Sequence, residues 1–188
     1  MKKSKILVSL ILCIVMMFSL CSCAKKTPVA EISMADGTVI YAELYPEIAP
    51  ITVENFINLA NDGFYDGITV HRVVPGFVIQ AGDPEGTGMG GSGKNIKGEF
   101  SANGVENNLS HKRGVLSMAR RGDDFDSATS QFFIVLEDSD FLDGNYAAFG
   151  MVTEGMNTVD KIATVTTDNN DKPLEDVVIK NIRITYKD

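Results

Sequence analysis

The sequence predicts a mainly β protein, a closed eight-stranded antiparallel barrel capped by two α-helices. Three observations lead there. Short stretches of alternating apolar and polar residues recur between Gly- and Asp-rich connections, and only two stretches carry a helical period. No cysteine lies beyond Cys23, so packing alone must hold the body together. Closure of the sheet would remove the exposed edges that so many short strands otherwise leave.

The chain opens with an export leader over residues 1–22. Lys2, Lys3 and Lys5 form a positive start, and an apolar run follows from Ile6 to Leu20. That run of 15 residues is shorter than the roughly 20 that a membrane-spanning helix needs. The leader ends in "LCSC", residues 20–23, which resembles the lipobox of bacterial lipoproteins, with Cys23 as the lipidation site. Cys13, Cys21 and Cys23, the only cysteines, all fall here. Residues 23–28 then read as a lipidated N-terminus and short tether, and residues 29–188 as the folded domain. This places the protein on the extracytoplasmic face of a bacterial cell membrane, anchored by acyl (palmitate-type) chains.

Without residues 1–22 the chain keeps 14 of its 17 basic residues and all 25 acidic ones, a net charge of −11 over 166 residues. Such an acidic body excludes nucleic acid as a partner, because phosphate binding needs clustered cations. It also leaves the lipid anchor, rather than surface charge, as the hold on the membrane.

In the domain, "VAEISM" and "TVIYAELY" alternate around Asp36-Gly37 and predict a hairpin. In "APITVENFINLANDGFYDG" the period changes: Val53, Phe56, Ile57 and Ala60 share one helical face, with Pro50 at the start and Gly63 at the exit. Strand patterns return in "ITVHRVV", "FVIQAGD", "RGVLSMA", "SQFFIVL", "YAAFGMV" and "DVVIKNIRITY". A second helix is expected in "GMNTVDKIATV", where Met156, Val159 and Ile162 or Ala163 line one side.

Several chemistries compete for the polar residues. "GMGGSGKN", Gly88 to Asn95, approaches a phosphate loop, but Asn95 replaces the hydroxyl that would hold magnesium and Gly98 breaks the helix such a loop requires. A flexible surface loop is the better reading. The domain holds only His71 and His111, neither with a second ligand at metal spacing, so no metal and no cofactor is expected. A Ser-His-Asp hydrolase lacks its G-x-S-x-G elbow, and Ser117 falls in a stretch that reads as buried strand. Asp123, Asp124 and Asp126 read as a solvated acidic turn rather than a calcium loop.

The stretches "FYDGITVHRVVPGFVIQAGDPEGTGMGGSG", "RGVLSMAR", "SQFFIVL" and "FLDGNYAAFGMVTEGMNTVDKI" together resemble the cyclophilin-type peptidyl-prolyl isomerases, from about Glu31 to Tyr186. The resemblance implies a barrel with its site on the outer face, and cofactor-free isomerisation of X-Pro bonds in proline-containing polypeptides by a monomer. It implies catalytic roles for Arg72, Phe77 and Gln80. It gives substrate-binding roles to Met118, Ala119, Arg120, Gln131, Phe133, Phe141, Leu142 and Tyr146. Within this scheme Gln80 orients Arg72, Gln131 anchors the substrate backbone, Ala119 and Arg120 pair with it, and His71 supports the structure. Phe141 and Tyr146 stand where many eukaryotic members have Trp and His, which should weaken cyclosporin-like inhibitors. Arg120 stands where Asn is common, and its charge favours acidic neighbours in the substrate. A binding module that holds exported chains without turnover is the alternative.

The residues suit the reaction. Rotation about an X-Pro bond breaks no covalent bond, so no nucleophile is needed; what helps is a donor for the lone pair that becomes localised on nitrogen as the amide twists. A guanidinium stays charged and offers donors in a rigid fork.

Overall fold

The computed structural model describes residues 26–187, so the leader and Cys23 lie outside the described residues. Eight strands and two α-helices follow in the order the periodicity predicts. They are β1 (Thr27–Met34), β2 (Val39–Leu44), α1 (Pro50–Asn61), β3 (Arg72–Val74), β4 (Val78–Ala81), β5 (Val115–Met118), β6 (Phe132–Val135), β7 (Ala148–Glu154), α2 (Met156–Ala163) and β8 (Ile179–Lys187), with single 3-10 turns at Ser101–Asn103 and Asp140–Leu142. β1 begins at Thr27, so two residues read as tether already belong to the sheet.

Local chemistry accounts for the boundaries. The β1–β2 hairpin turns where Asp36 Oδ1 accepts the Thr38 N–H at 2.9 Å and Gly37 takes φ +88, a conformation that side chains resist. α1 starts on Pro50 with no cap of its own. Its free N–H groups at Ile51 and Thr52 are taken instead by the buried Glu99 carboxylate, at 3.0 and 2.8 Å. α1 buries Val53, Phe56 and Ala60. The Phe56 ring meets Tyr65, Phe132 and Phe149 at 5.1, 5.3 and 5.3 Å between centroids. α2 buries Val159 and Ile162 against the sheet.

All pairings are antiparallel, in the order β3-β4-β6-β5-β7-β2-β1-β8. The expected closed barrel is corrected here. The sheet is a curled half-barrel whose end strands β3 and β8 form no ladder with each other. They approach ahead of β3, through one isolated bridge, Thr69 to Val178, and the bonds from Val70 N–H to Val177 O, Ile179 N–H to Ile68 O and Gly67 N–H to Ile179 O at 2.8 to 2.9 Å. The physical reason lies in the 168–172 loop. Val73 in β3 donates its edge N–H to Asp171 O at 2.8 Å, so a loop rather than a strand covers that edge.

The sheet separates two apolar layers by strand parity. The inner face carries Val73, Ile79, Ala81, Leu116, Met118, Phe132 and Ile134, which join the main core with both helices. The opposite face carries Val78, Val115, Phe133 and Val135, which form a smaller cluster with Leu142 and Ala148.

Candidate active site

The second face builds a site by cross-strand register. Arg72 pairs with Gln80, Gln80 with Phe133, and Phe133 with Ser117, giving one row across β3, β4, β6 and β5. Residues opposite each other in a ladder project to the same side, so arginine, glutamine and phenyl ring lie side by side. Together with Phe77 and Val78 they form one wall of a cleft of about 170 Å³, and Ala119, Arg120, Leu142 and Tyr146 form the other.

Arg72 is held from the sheet by Gln80, whose Oε1 accepts from the guanidinium at 3.4 Å. Gln80 is fixed in turn: its Nε2 donates to Gln131 Oε1 at 2.8 Å, and Gln131 Nε2 donates to the carbonyls of Gly88 and Gly90 at 3.0 and 2.7 Å. The tight passage that seats Gln131 needs Gly82, at φ +93, because a Cβ there would collide with the Ser130 carbonyl. Gln131, expected to anchor the substrate backbone, is 9 % exposed and outside the cleft lining; in this structure its amide holds Gln80 and two loop carbonyls.

The Gly88 to Asn95 segment is loop throughout, with no helix for a phosphate. Its first residues are held: the buried Asp83 gathers the N–H groups of Glu85, Thr87 and Gly88 at 2.6 to 2.9 Å, and Gln131 takes the carbonyls of Gly88 and Gly90. Burial pushes Asp83 up, but these donors together hold its carboxyl below the usual range. Asp126 in the acidic turn likewise accepts from Gly98 N–H and Asn103.

Met118, expected beside the substrate, is 1 % exposed, belongs to the main core and does not line the cleft. Parity explains this: Val115 and Ser117 face the site, so Leu116 and Met118 must face inward. Val78 takes the apolar position in the wall instead, a residue that the sequence reading passed over although it shares the face of Gln80.

Phe141 stands at the rim, 71 % exposed, stacked on Phe77 with centroids 5.6 Å apart. Tyr146 meets Phe133 edge-on at 6.0 Å. Arg120 clasps the far wall. Its guanidinium carbon lies 4.7 Å from the Tyr146 ring centre, 4.9 Å from Phe125 and 5.3 Å from Phe100, while Nε donates to Asn145 O at 3.0 Å. Ala119 is tied to β6 through its N–H, which donates to Gln131 O.

Beneath Phe133 lies an arrangement with the connectivity of a hydrolytic triad. His111 Nδ1 is 2.7 Å from Asp143 Oδ1, and Nε2 is 2.9 Å from Ser117 Oγ. Ser117 has no exposed surface, and the His111 ring is stacked on Phe133 with centroids 6.1 Å apart. No substrate reaches that hydroxyl. The row works as a brace: Asp143 follows Leu142, and by also accepting from the His111 N–H at 2.8 Å it ties the Phe141–Leu142 turn to the sheet. Burial keeps the His111 pKa below its ordinary value despite the opposing carboxylate. His71 is buried as well, and desolvation lowers its pKa against the opposing influence of Asp83 and Gln131.

The fold and this cleft define a class: a curled antiparallel sheet with two helices that carries, on its outer surface, a cleft pairing one arginine with an apolar wall. Comparison with known proteins agrees. Residues 29–184 match the family model described as cyclophilin type peptidyl-prolyl cis-trans isomerase/CLD. Peptidyl-prolyl cis-trans isomerase B of Bacillus subtilis is 53 % identical over 123 residues, covering 65 % of this chain and 82 % of that one. Peptidyl-prolyl cis-trans isomerase ppi1 of Schizosaccharomyces pombe is 44 % identical over 141 residues, covering 74 % and 88 %. A cyclophilin type peptidyl-prolyl cis-trans isomerase of Cryptosporidium parvum, solved by crystallography, superposes with a TM-score of 0.78 at 32 % identity, covering 85 % of this chain and 98 % of that one. The same parasite enzyme in the presence of the dipeptide ala-pro gives a TM-score of 0.76.

The chain belongs to the cyclophilin-type peptidyl-prolyl cis-trans isomerases, and its activity is isomerisation of X-Pro peptide bonds.

Proposed function

We propose that the enzyme accelerates folding of exported proteins by arginine-assisted rotation about X-Pro bonds, as a monomer whose acylated Cys23 holds it to the extracytoplasmic face of a bacterial membrane. The single observation that supports the mechanism is the register row that sets Arg72 beside Gln80 and Phe133 at the edge of an apolar cleft. The export setting is supported by the leader and by "LCSC" at residues 20–23.

The amide resists rotation with a barrier of about 18 to 20 kcal/mol, and prolyl bonds turn over in roughly 10 to 100 s unaided. As the bond twists, nitrogen becomes pyramidal and its lone pair accepts a hydrogen bond from Arg72. Phe133, Phe77, Val78 and Leu142 enclose the proline ring and exclude water that would compete for the guanidinium. Phe77 and Gln80 act beside Arg72, and the Arg120–Tyr146 wall receives the chain. One preorganised donor in such a setting is worth roughly 2.7 to 4 kcal/mol, or about two to three decades of rate.

The test is Arg72→Ala in a protease-coupled prolyl isomerisation assay, with circular dichroism to confirm the fold. A fall in kcat/KM of about a hundred- to a thousandfold is expected. Unchanged turnover dismisses the mechanism.

A further inference from the structure

One residue outside the sheet, and outside the cleft lining, addresses Arg72. Asp171 Oδ2 lies 3.6 Å from Arg72 Nε, an ion pair between side chains 45 and 38 % exposed. Asp171 is also the only residue other than glycine with positive φ among the described residues, at +64. A side chain in the left-handed region is uncommon and glycine occupies it more easily. Aspartate tolerates that region better than most side chains, and here the conformation accompanies a carboxylate that reaches Arg72.

The surrounding loop is built to deliver it. Asp168 Oδ1 accepts the N–H groups of Asn170 and Lys172 at 2.8 and 3.0 Å, and Asp168 N–H donates to Lys172 O at 2.8 Å. Lys172 Nζ reaches Gly86 O at 3.1 Å, while Asp171 O takes the Val73 N–H. The loop is thereby docked on both flanks of Arg72, and Asp171 has little freedom to move away.

We propose that Asp171 is a positioning residue for Arg72, an inference that rests on the arginine-assisted mechanism above. Its carboxylate engages Nε, while Gln80 engages the guanidinium tip, and the two contacts together fix the rotation of the planar group. The remaining N–H donors then face the proline nitrogen in the twisted state. Because the pair acts on the orientation of Arg72 and not on the bound chain, the effect falls on kcat rather than KM.

The experiment compares the wild-type domain with Asp171→Asn, Asp171→Gly, Arg72→Ala and the double variant Arg72→Ala/Asp171→Asn. Asp171→Asn keeps the tolerance for left-handed backbone but removes the charge, and Asp171→Gly relieves the backbone outright. Each single Asp171 variant is expected to lose about two- to fivefold in kcat, the reach of a half-exposed ion pair, with KM steady. Asp171→Gly should match or exceed the wild-type melting temperature, which separates positioning from structural support. In the Arg72→Ala background the Asp171 substitution should cost nothing further. In NMR spectra the Arg72 Nε–H resonance should exchange faster with water in Asp171→Asn. Wild-type or raised kcat in both Asp171 variants, or the same loss with and without Arg72, overturns the inference while leaving the role of Arg72 intact. Wild-type turnover in Arg72→Ala overturns the mechanism itself.

Discussion

Gln131→Leu isolates the role of the amide chain behind Arg72. Leucine keeps an apolar body of similar bulk and removes all three hydrogen bonds of a side chain that is 9 % exposed. The carbonyls of Gly88 and Gly90 sit on a partly exposed loop and can turn to water, so the lasting loss falls on Gln80 Nε2, whose acceptor 2.8 Å away disappears. A buried donor left unsatisfied costs about 1 to 3 kcal/mol, and the half-buried Gln80, open to the cleft, belongs at the low end of that range. For a domain of this size each kcal/mol shifts Tm by about 2 to 4 °C, and a fall of that size is expected. Turnover suffers separately. Once freed, Gln80 no longer presents Oε1 steadily to the guanidinium, and a hydrogen bond to a charged group is worth about 1.5 to 3 kcal/mol. At 3.4 Å the contact belongs at the low end, so kcat should fall by about tenfold. KM should hold, because Gln131 does not line the cleft. Thermal unfolding and protease-coupled kinetics on the same preparation read both quantities. A raised KM with unchanged kcat would show that Gln131 grips the substrate directly and would refute the relay.

Stability should weaken as pH falls. His71 and His111 both have pKa values depressed by burial, so below their ordinary value of about 6.5 the unfolded chain takes up protons before the folded one does. The contribution is fully present above about pH 6.5 and is lost as pH drops through the folded values; urea midpoints should therefore be lower at pH 5.5 than at pH 7.5, and His111→Gln should narrow that gap. A midpoint that rises on acidification contradicts this assignment. For the anchor, full-length protein in a bacterial host should incorporate labelled palmitate and fractionate with membranes, and Cys23→Ser should abolish both; label retained in Cys23→Ser would exclude that cysteine.

Strand alternation and two helical faces were enough to read every main element from sequence, because each signal is local. What alternation did not reveal was how the ends of the sheet meet. Closure depends on whether β8 reaches the edge of β3, and that edge is taken by Asp171 O, a partner far along the chain. Motif and strand parity agree at Arg72, Gln80 and Phe133, which the register sets on one face; they diverge at Met118, one position from the face of Ser117 and so in the core, and at Val78, which belongs to the wall. At Gln131 the resemblance implies a substrate contact, and the carbonyls of Gly88 and Gly90 that its amide meets are brought to it only by the fold. Asp171 carries no local signal at all, since an aspartate in a polar loop reads as solvated until the loop is docked.

The row from Arg72 to Ser117 lies on the outside of the curved sheet, not within its hollow, and this decides what can be handled. An enclosed chamber would need a chain end or a small molecule to enter. A site on the outer surface sets no such condition: a proline in the middle of a long polypeptide would reach it as readily as one at a chain end. Loading then needs no threading, and release needs no door.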